Sequence, residues 1–205
     1  MKRYLSVMFK SMAYAQKKYI PNNIKRGIKR ILLSIINSLS YLPNHRVRVK
    51  YRACHIIFVC KGNVCRSAFA EYYLRSLVSG EDLVMESCGL NVDQGVISPI
   101  EIIKVGREFG VELESHRSKG VAACDFQKAD LIIPMEFSQY LQLTSLYPDS
   151  KKKIRLLRDF ASWPDRLMCN IYDPFGLGEE EYRRCFSKIK KVLDGLAVYL
   201  SENNR

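Results

Sequence analysis

The sequence predicts an α/β fold: a small parallel sheet of four strands with helices on both faces, a phosphate-binding loop after the first strand, and a basic amphipathic arm ahead of it. Three observations carry this reading. From residue 54 onward, short apolar β-branched runs alternate with amphipathic stretches of helical period, the pattern of parallel strands joined by crossover helices. A Gly-containing segment, Cys60-Lys-Gly-Asn-Val-Cys-Arg-Ser67, separates the first apolar run from the first such stretch. The charge is also unevenly divided: residues 1–53 hold 13 Lys or Arg and no acidic residue, which leaves 20 of the 33 basic side chains against all 21 acidic ones in the other 152 residues.

The first run, His55-Ile-Ile-Phe-Val59, is short and β-branched, as a strand buried on both faces should be. A helix follows from Ser67 to Leu77, with Ser67 as its cap and Ala70, Tyr73, Leu74 and Leu77 on one face. Leu83–Ser87 reads as the second strand. Pro99–Phe109 is helical and stops at Gly110. Asp130–Met135 is the third strand, Glu136–Leu146 the next helix, and Ile154–Leu157 the fourth strand. The chain closes with a long amphipathic helix over Glu179–Leu200, whose apolar face holds Phe186, Ile189, Val192, Leu193, Leu196 and Leu200. Residues 1–53 form the arm and 54–205 the globular domain.

Composition removes several function classes. Apolar residues make up 47% of the chain, enough for a core. Seven cysteines without a C-x-x-C pair encode neither a disulfide framework nor a zinc site, and they fit a reducing compartment. Three scattered histidines do not build a two-metal centre. No metal and no cofactor are expected. Because the net charge of +12 belongs to the arm and the rest is near neutral, nucleic acid is not the expected partner.

Each residue of the Cys60–Ser67 loop answers a chemical need. A thiolate is the nucleophilic form of cysteine, and a helix N-terminus with a guanidinium nearby favours it. Successive N–H groups of such a loop converge on an anion. Gly62 turns without steric cost, and Asn63 tolerates a left-handed backbone. Arg66 offers a planar fork to two phosphoryl oxygens, and the Ser67 hydroxyl supports the thiolate. C-x5-R alone is a weak pattern, whose bland reading is a buried cysteine and a surface arginine. The flanking strand and helix make the chemical reading the stronger one. Departure of a phenolate then needs a proton donor. Asp173, in the Asp173-Pro-Phe-Gly176 segment beyond the last strand, could reach over the loop, although an Asp-Pro pair alone is usually just a turn.

At this point CKGNVCRS-AFAEYYLR resembles the C-x-G-N-x-C-R-S-x-x-A-E signature of the low-molecular-weight protein tyrosine phosphatases. Glu86–Gly89, Ser115–Ser118, Ala129–Ile132, Lys153–Leu157 and Asp173–Gly176 are similar to further family segments, so the resemblance spans roughly residues 54–201. It implies a phosphotyrosine phosphatase working through a phosphocysteine, with Cys60 as nucleophile, Arg66 as phosphate clamp and Asp173 as general acid and then base. Lys61, Gly62, Asn63, Val64, Cys65 and Ser67 would form or support the phosphate loop, with Ser87 and His116 holding Asn63 by hydrogen bonds. Cys65 matches a loop cysteine that in the family can form a disulfide with the nucleophile. Lys61 stands where the family usually has a small or apolar residue, and Phe175 replaces the first tyrosine of the family's D-P-Y motif.

Rivals share the fold or the site. Arsenate reductases need two further relay cysteines, and Ala129–Met135 has none. Protein-arginine phosphatases carry Thr between the loop's Asn and second Cys, where Val64 stands here. A non-enzymatic phosphoprotein-binding or membrane module is disfavoured because nucleophile, clamp and acid are all present.

In the arm, Ile24, Ile28, Ile31, Leu32, Ile35, Ile36 and Leu39 share one helical face, opposite Lys25, Arg26, Lys29 and Arg30. The apolar stretch is too short to span a bilayer. Residues 24–42 therefore read as an anchor on an anionic membrane surface, on the cytoplasmic side. An organellar transit peptide and a helix packed on the domain are the alternatives. Bacterial relatives of this kind often oppose membrane-bound tyrosine kinases, which would make such a kinase a partner alongside the phosphotyrosine protein.

Overall fold

The computed structural model describes residues 32, 35–41, 54–78 and 83–203. Most of the arm, including Ile24, Ile28, Ile31 and Leu42, lies outside the described residues.

Residues 35–41 are helical (α1). The domain then runs β1 (His55–Cys60), α2 (Arg66–Leu77), β2 (Val84–Gly89), α3 (Ile100–Glu108), β3 (Leu131–Pro134), α4 (Phe137–Leu146) and α5 (Glu179–Asn203). The sheet is parallel in the order β2-β1-β3. Register runs from His55 opposite Val84 to Cys60 opposite Gly89, and from Ile56 opposite Leu131 to Val59 opposite Pro134. The chain leaves central β1 to one side and later returns to its other side. Cys60 therefore ends the strand at which the order reverses, where ligands of such sheets bind.

The expected fourth strand is a correction. Ile154 makes one isolated parallel bridge to Ile132, and Arg155 N–H donates to Ile132 O at 2.9 Å. Tight 3₁₀ turns over Pro148–Lys153 and Leu157–Phe160 enclose this stretch, leaving too few extended residues for a ladder. Among the described residues the sheet thus has three strands.

Both faces of the sheet are covered, as its continuous apolar runs require. Ile56 and Phe58 face a layer built by α2, α3 and α5, with Phe69 and Phe186 stacked at 3.9 Å between centroids. Ile57, Val59 and Ile132 face the other layer, with Tyr140 and Leu143 of α4 and with Tyr41 of α1. Fully burying each large side chain contributes about 1.5–3 kcal/mol, so the two layers lock β1 in place from both sides. Among the described residues, no helix is long and apolar enough to cross a membrane.

The described end of the arm packs on the domain. Ser38 and Tyr41 are buried, whereas Leu32, Ile35, Ile36 and Leu39 are exposed. The helix docks by its polar and aromatic edge, and the described part of its apolar stripe faces outward.

Candidate active site

The loop after β1 folds back over the sulfur of Cys60. Asn63 N–H donates to Cys60 Sγ at 3.2 Å, and Ser67 Oγ lies 3.0 Å from it. α2 begins at Arg66, with Cys65 at its cap position and no side-chain cap. Ser67 thus lies inside the first turn rather than at the cap, and its hydroxyl reaches the thiol instead. The uncapped end of α2 adds its positive dipole beside the sulfur.

Asn63 is the keystone of the loop. It is fully buried with φ at +52°, in the left-handed region. Every polar group of its side chain is satisfied. Its Nδ2 donates to Ser67 Oγ at 3.0 Å and Ser87 Oγ at 2.8 Å, and its Oδ1 accepts Lys119 N–H at 2.8 Å. Its carbonyl lies 2.7 Å from His116 Nε2, which must carry the proton because the carbonyl only accepts. Burial pushes the His116 pKa below the ordinary imidazole value, opposed by that carbonyl. Ser87 Oγ in turn donates to the Glu71 carboxylate at 2.6 Å. This fixes a chain of donors from Ser87 to Glu71 and from Asn63 to Ser67, and leaves the Ser67 proton to Cys60 Sγ at 3.0 Å or to Cys88 O at 3.3 Å.

Two further contacts hold the loop. Asn91 N–H donates to Lys61 O at 2.8 Å. Gly89 packs so closely beneath the loop that a Cβ there would stand 2.8 Å from Lys61 O and 2.9 Å from Asn63 N. Only glycine permits that approach.

Arg66 is 1% exposed. Its Nη1 donates to the Glu136 carboxylate and, at 3.0 Å, to Ile171 O, while Nη2 pairs with Asp173 Oδ2 at 2.9 Å. Burial works against its charge, but Cys60, Glu136 and Asp173 more than offset this and hold its pKa above the ordinary value. Its buried Nε has no acceptor among the described residues, a donor suited to an anion. Cys60, Lys61, Gly62, Val64, Cys65, Arg66, Asn91, Asp173 and Phe175 line one cavity of about 200 Å³. Cys65 is buried at its base, and burial, reinforced by neighbouring Cys185, pushes its thiol pKa well up.

The candidates thus fall into two shells of one site. Cys60, Lys61, Gly62, Val64, Cys65, Arg66 and Asp173 line the cavity; Asn63, Ser67, Ser87 and His116 lie behind it. Sequence reasoning did not assign Glu71, Glu136, Asn91 or the Lys119 backbone. Glu71 had a signal, since it lies four residues after Ser67 on the same face of α2. The others are brought in by tertiary packing alone. Among the described residues, no cluster of three His, Cys, Asp or Glu side chains could hold a metal ion.

Comparison with known proteins points to one family. The family profile "Low molecular weight phosphotyrosine protein phosphatase" matches residues 55–205. A protein-arginine-phosphatase of Geobacillus stearothermophilus is 30% identical over 146 residues, covering 71% of this chain and 95% of that protein. The low-molecular-weight protein-tyrosine-phosphatase Wzb of Escherichia coli K12 is 28% identical over 137 residues, covering 67% and 88%. The crystal structure of the T. tengcongensis low-molecular-weight protein tyrosine phosphatase superposes with a TM-score of 0.65 at 29% identity, covering 72% and 99%. With a loop that cradles a cysteine sulfur, a buried guanidinium beside it and a family match over residues 55–205, the chain belongs to the low-molecular-weight protein tyrosine phosphatase family of cysteine-dependent phosphatases.

Proposed function

We propose that residues 54–205 form a phosphatase domain that hydrolyses phosphotyrosine in proteins through a phosphocysteine on Cys60. The observation that carries this reading is the single cavity that brings together Cys60, Arg66, Asp173 and an aromatic wall, Phe175. Arg66 and the loop amides hold the equatorial oxygens so that the ester oxygen lies in line with the sulfur. Cys60 attacks phosphorus, the S–P bond forms and the P–O bond to the ring breaks. Asp173 gives its proton to the departing phenolate. A water then attacks phosphorus while Asp173 takes a proton back, the S–P bond breaks, and phosphate leaves with the thiolate restored. Ser67 and Asn63 N–H support the sulfur's charge, and Ser87, His116 and Asn63 keep the loop shaped.

Val64 lines the cavity, with methyl groups where the arginine phosphatases have a hydroxyl, which favours the aryl ester over phosphoarginine. An activity panel of phosphotyrosine, phosphoserine and phosphoarginine peptides and arsenate tests the reading. Preference for phosphotyrosine is expected; preference for phosphoarginine, or arsenate reduction, would replace it.

Cytoplasmic placement and attachment to an anionic membrane surface, near a membrane-bound kinase, form part of the same proposal. They are supported by the outward Leu32, Ile35, Ile36 and Leu39, together with Lys25, Arg26, Lys29 and Arg30 just before them in sequence. The full chain should bind anionic liposomes more weakly as salt rises. Indifference to such liposomes at low salt would remove the membrane from the account.

A further inference from the structure

We propose that α1 is a positioning element of the catalytic site, fixing through Ser38 and Tyr41 the two segments that carry Glu136 and Asp173. The inference rests on Asp173 being the general acid.

The contacts run through backbone. Cys169 N–H donates to Ser38 Oγ at 3.0 Å, across 131 residues of sequence and between two buried residues. The next residue, Asn170, accepts Phe137 N–H on its Oδ1 at 2.7 Å, and Ile171 N–H donates to Met135 O at 2.8 Å. Segments 135–137 and 169–171 are therefore laced into one unit. Ile171 O accepts from Arg66, and Asp173 pairs with Arg66 two residues later. Glu136, immediately before Phe137, is the other carboxylate on Arg66.

Tyr41 secures α1 over this unit. Its ring meets Phe137 and Tyr140 edge-on at 5.9 and 5.2 Å between centroids. Its hydroxyl donates to the Asp159 carboxylate and accepts Leu156 N–H at 3.2 Å. A segment that only tethers the domain needs none of these contacts. This one is seated on the rear of both segments whose carboxylates hold the phosphate clamp. Small displacements of a catalytic group are costly, since about 1 Å of misplacement can cost roughly 10²-fold in rate.

A misplaced acid has a signature that loss of folded protein lacks: it hurts poor leaving groups and spares good ones. In the full chain, Ser38→Ala and Tyr41→Phe are to be compared with Asp173→Asn across aryl phosphates of graded leaving-group acidity, reading kcat/KM, with thermal melting as the fold control. For Ser38→Ala we expect a loss on the order of 10-fold with phenyl phosphate and under about 2-fold with dinitrophenyl phosphate. Combined with Asp173→Asn it should add almost nothing, as coupled groups do. Equal losses on every substrate, or none, while Asp173→Asn shows the steep dependence, would overturn this inference alone. A flat profile for Asp173→Asn would remove the acid assignment and this inference with it.

Discussion

Replacing Asn63 by alanine tests how the loop is held in shape. The change removes two donated hydrogen bonds, to Ser67 and Ser87, and one accepted from Lys119 N–H. Each is worth about 0.5–1.5 kcal/mol net, and more where a buried partner is left unpaired. The backbone stays at positive φ, which costs a residue with an ordinary Cβ about 1 kcal/mol more than asparagine. Together these give roughly 3–5 kcal/mol, less than the usual 5–15 kcal/mol stability of a domain, so the protein should still fold. Because the loss falls on the loop that cradles the sulfur and the phosphoryl group, about 3 kcal/mol of it expressed in the transition state lowers kcat/KM on the order of 10²-fold. Asn63→Gly removes the same bonds but permits positive φ at no steric cost. The two variants should therefore share the loss in rate and differ in urea stability by about 1 kcal/mol, with glycine the more stable. Steady-state kinetics on an aryl phosphate and urea denaturation measure both. A wild-type kcat/KM for Asn63→Ala would refute the view that this network shapes the loop.

Other outcomes follow from the same geometry. Gly89→Ala should lower kcat/KM at least 10-fold, because its Cβ presses on Lys61 O and Asn63 N; unchanged kinetics would mean that the loop yields freely. Mild peroxide should oxidise Cys60 to the sulfenic acid with loss of water, and Cys65 should close a disulfide by displacing a second water. Mass spectrometry finding only sulfinic or sulfonic Cys60 would contradict this. Val64→Thr should raise phosphoarginine turnover relative to phosphotyrosine, and an unchanged ratio would move selectivity to another wall. Burial, opposed by the Tyr41 hydroxyl, lifts Asp159 to about 6. This raised carboxyl contributes stability that is full below its unfolded value near pH 4 and lost as pH rises through about 6. Tyr41→Phe removes a donor that only the ionised carboxylate needs. Its destabilisation, about 1 kcal/mol, should therefore be larger at neutral pH than near pH 4, and equal losses at both would contradict the pairing.

Most of the site was legible because its core is one contiguous segment. A strand, a loop and a helix start in 13 residues bring Cys60, Arg66 and Ser67 together with little help from tertiary structure. The strands and helices were placed to within a residue or two at most boundaries, since each apolar run or stripe is buried as its period implies. Ile154–Leu157 misled because an apolar run of strand length is pinched between two 3₁₀ turns. Ser67 misled because a serine before a helical stripe reads as a cap, whereas here the thiol competes for its hydroxyl. Glu136 was invisible because its partner lies 70 residues earlier. The seating of α1 was hidden for a related reason: its periodicity points to Ile35, Ile36 and Leu39, yet the docking edge is Ser38 and Tyr41, whose hydrogen-bond partners are 115 to 131 residues away.

The central claim is that Cys60 carries the phosphoryl group. The Asp173→Asn enzyme, incubated with dinitrophenyl phosphate, quenched and digested for mass spectrometry, tests it most directly, because that leaving group departs without the acid while the second step, which needs the base, is slowed and lets the intermediate accumulate. The account predicts a phosphorylated Cys60 peptide that is absent from Cys60→Ser, whose turnover is abolished. Phosphotyrosine hydrolysis by Cys60→Ser at near the wild-type rate, or turnover with the phosphoryl group found on another residue, would contradict it.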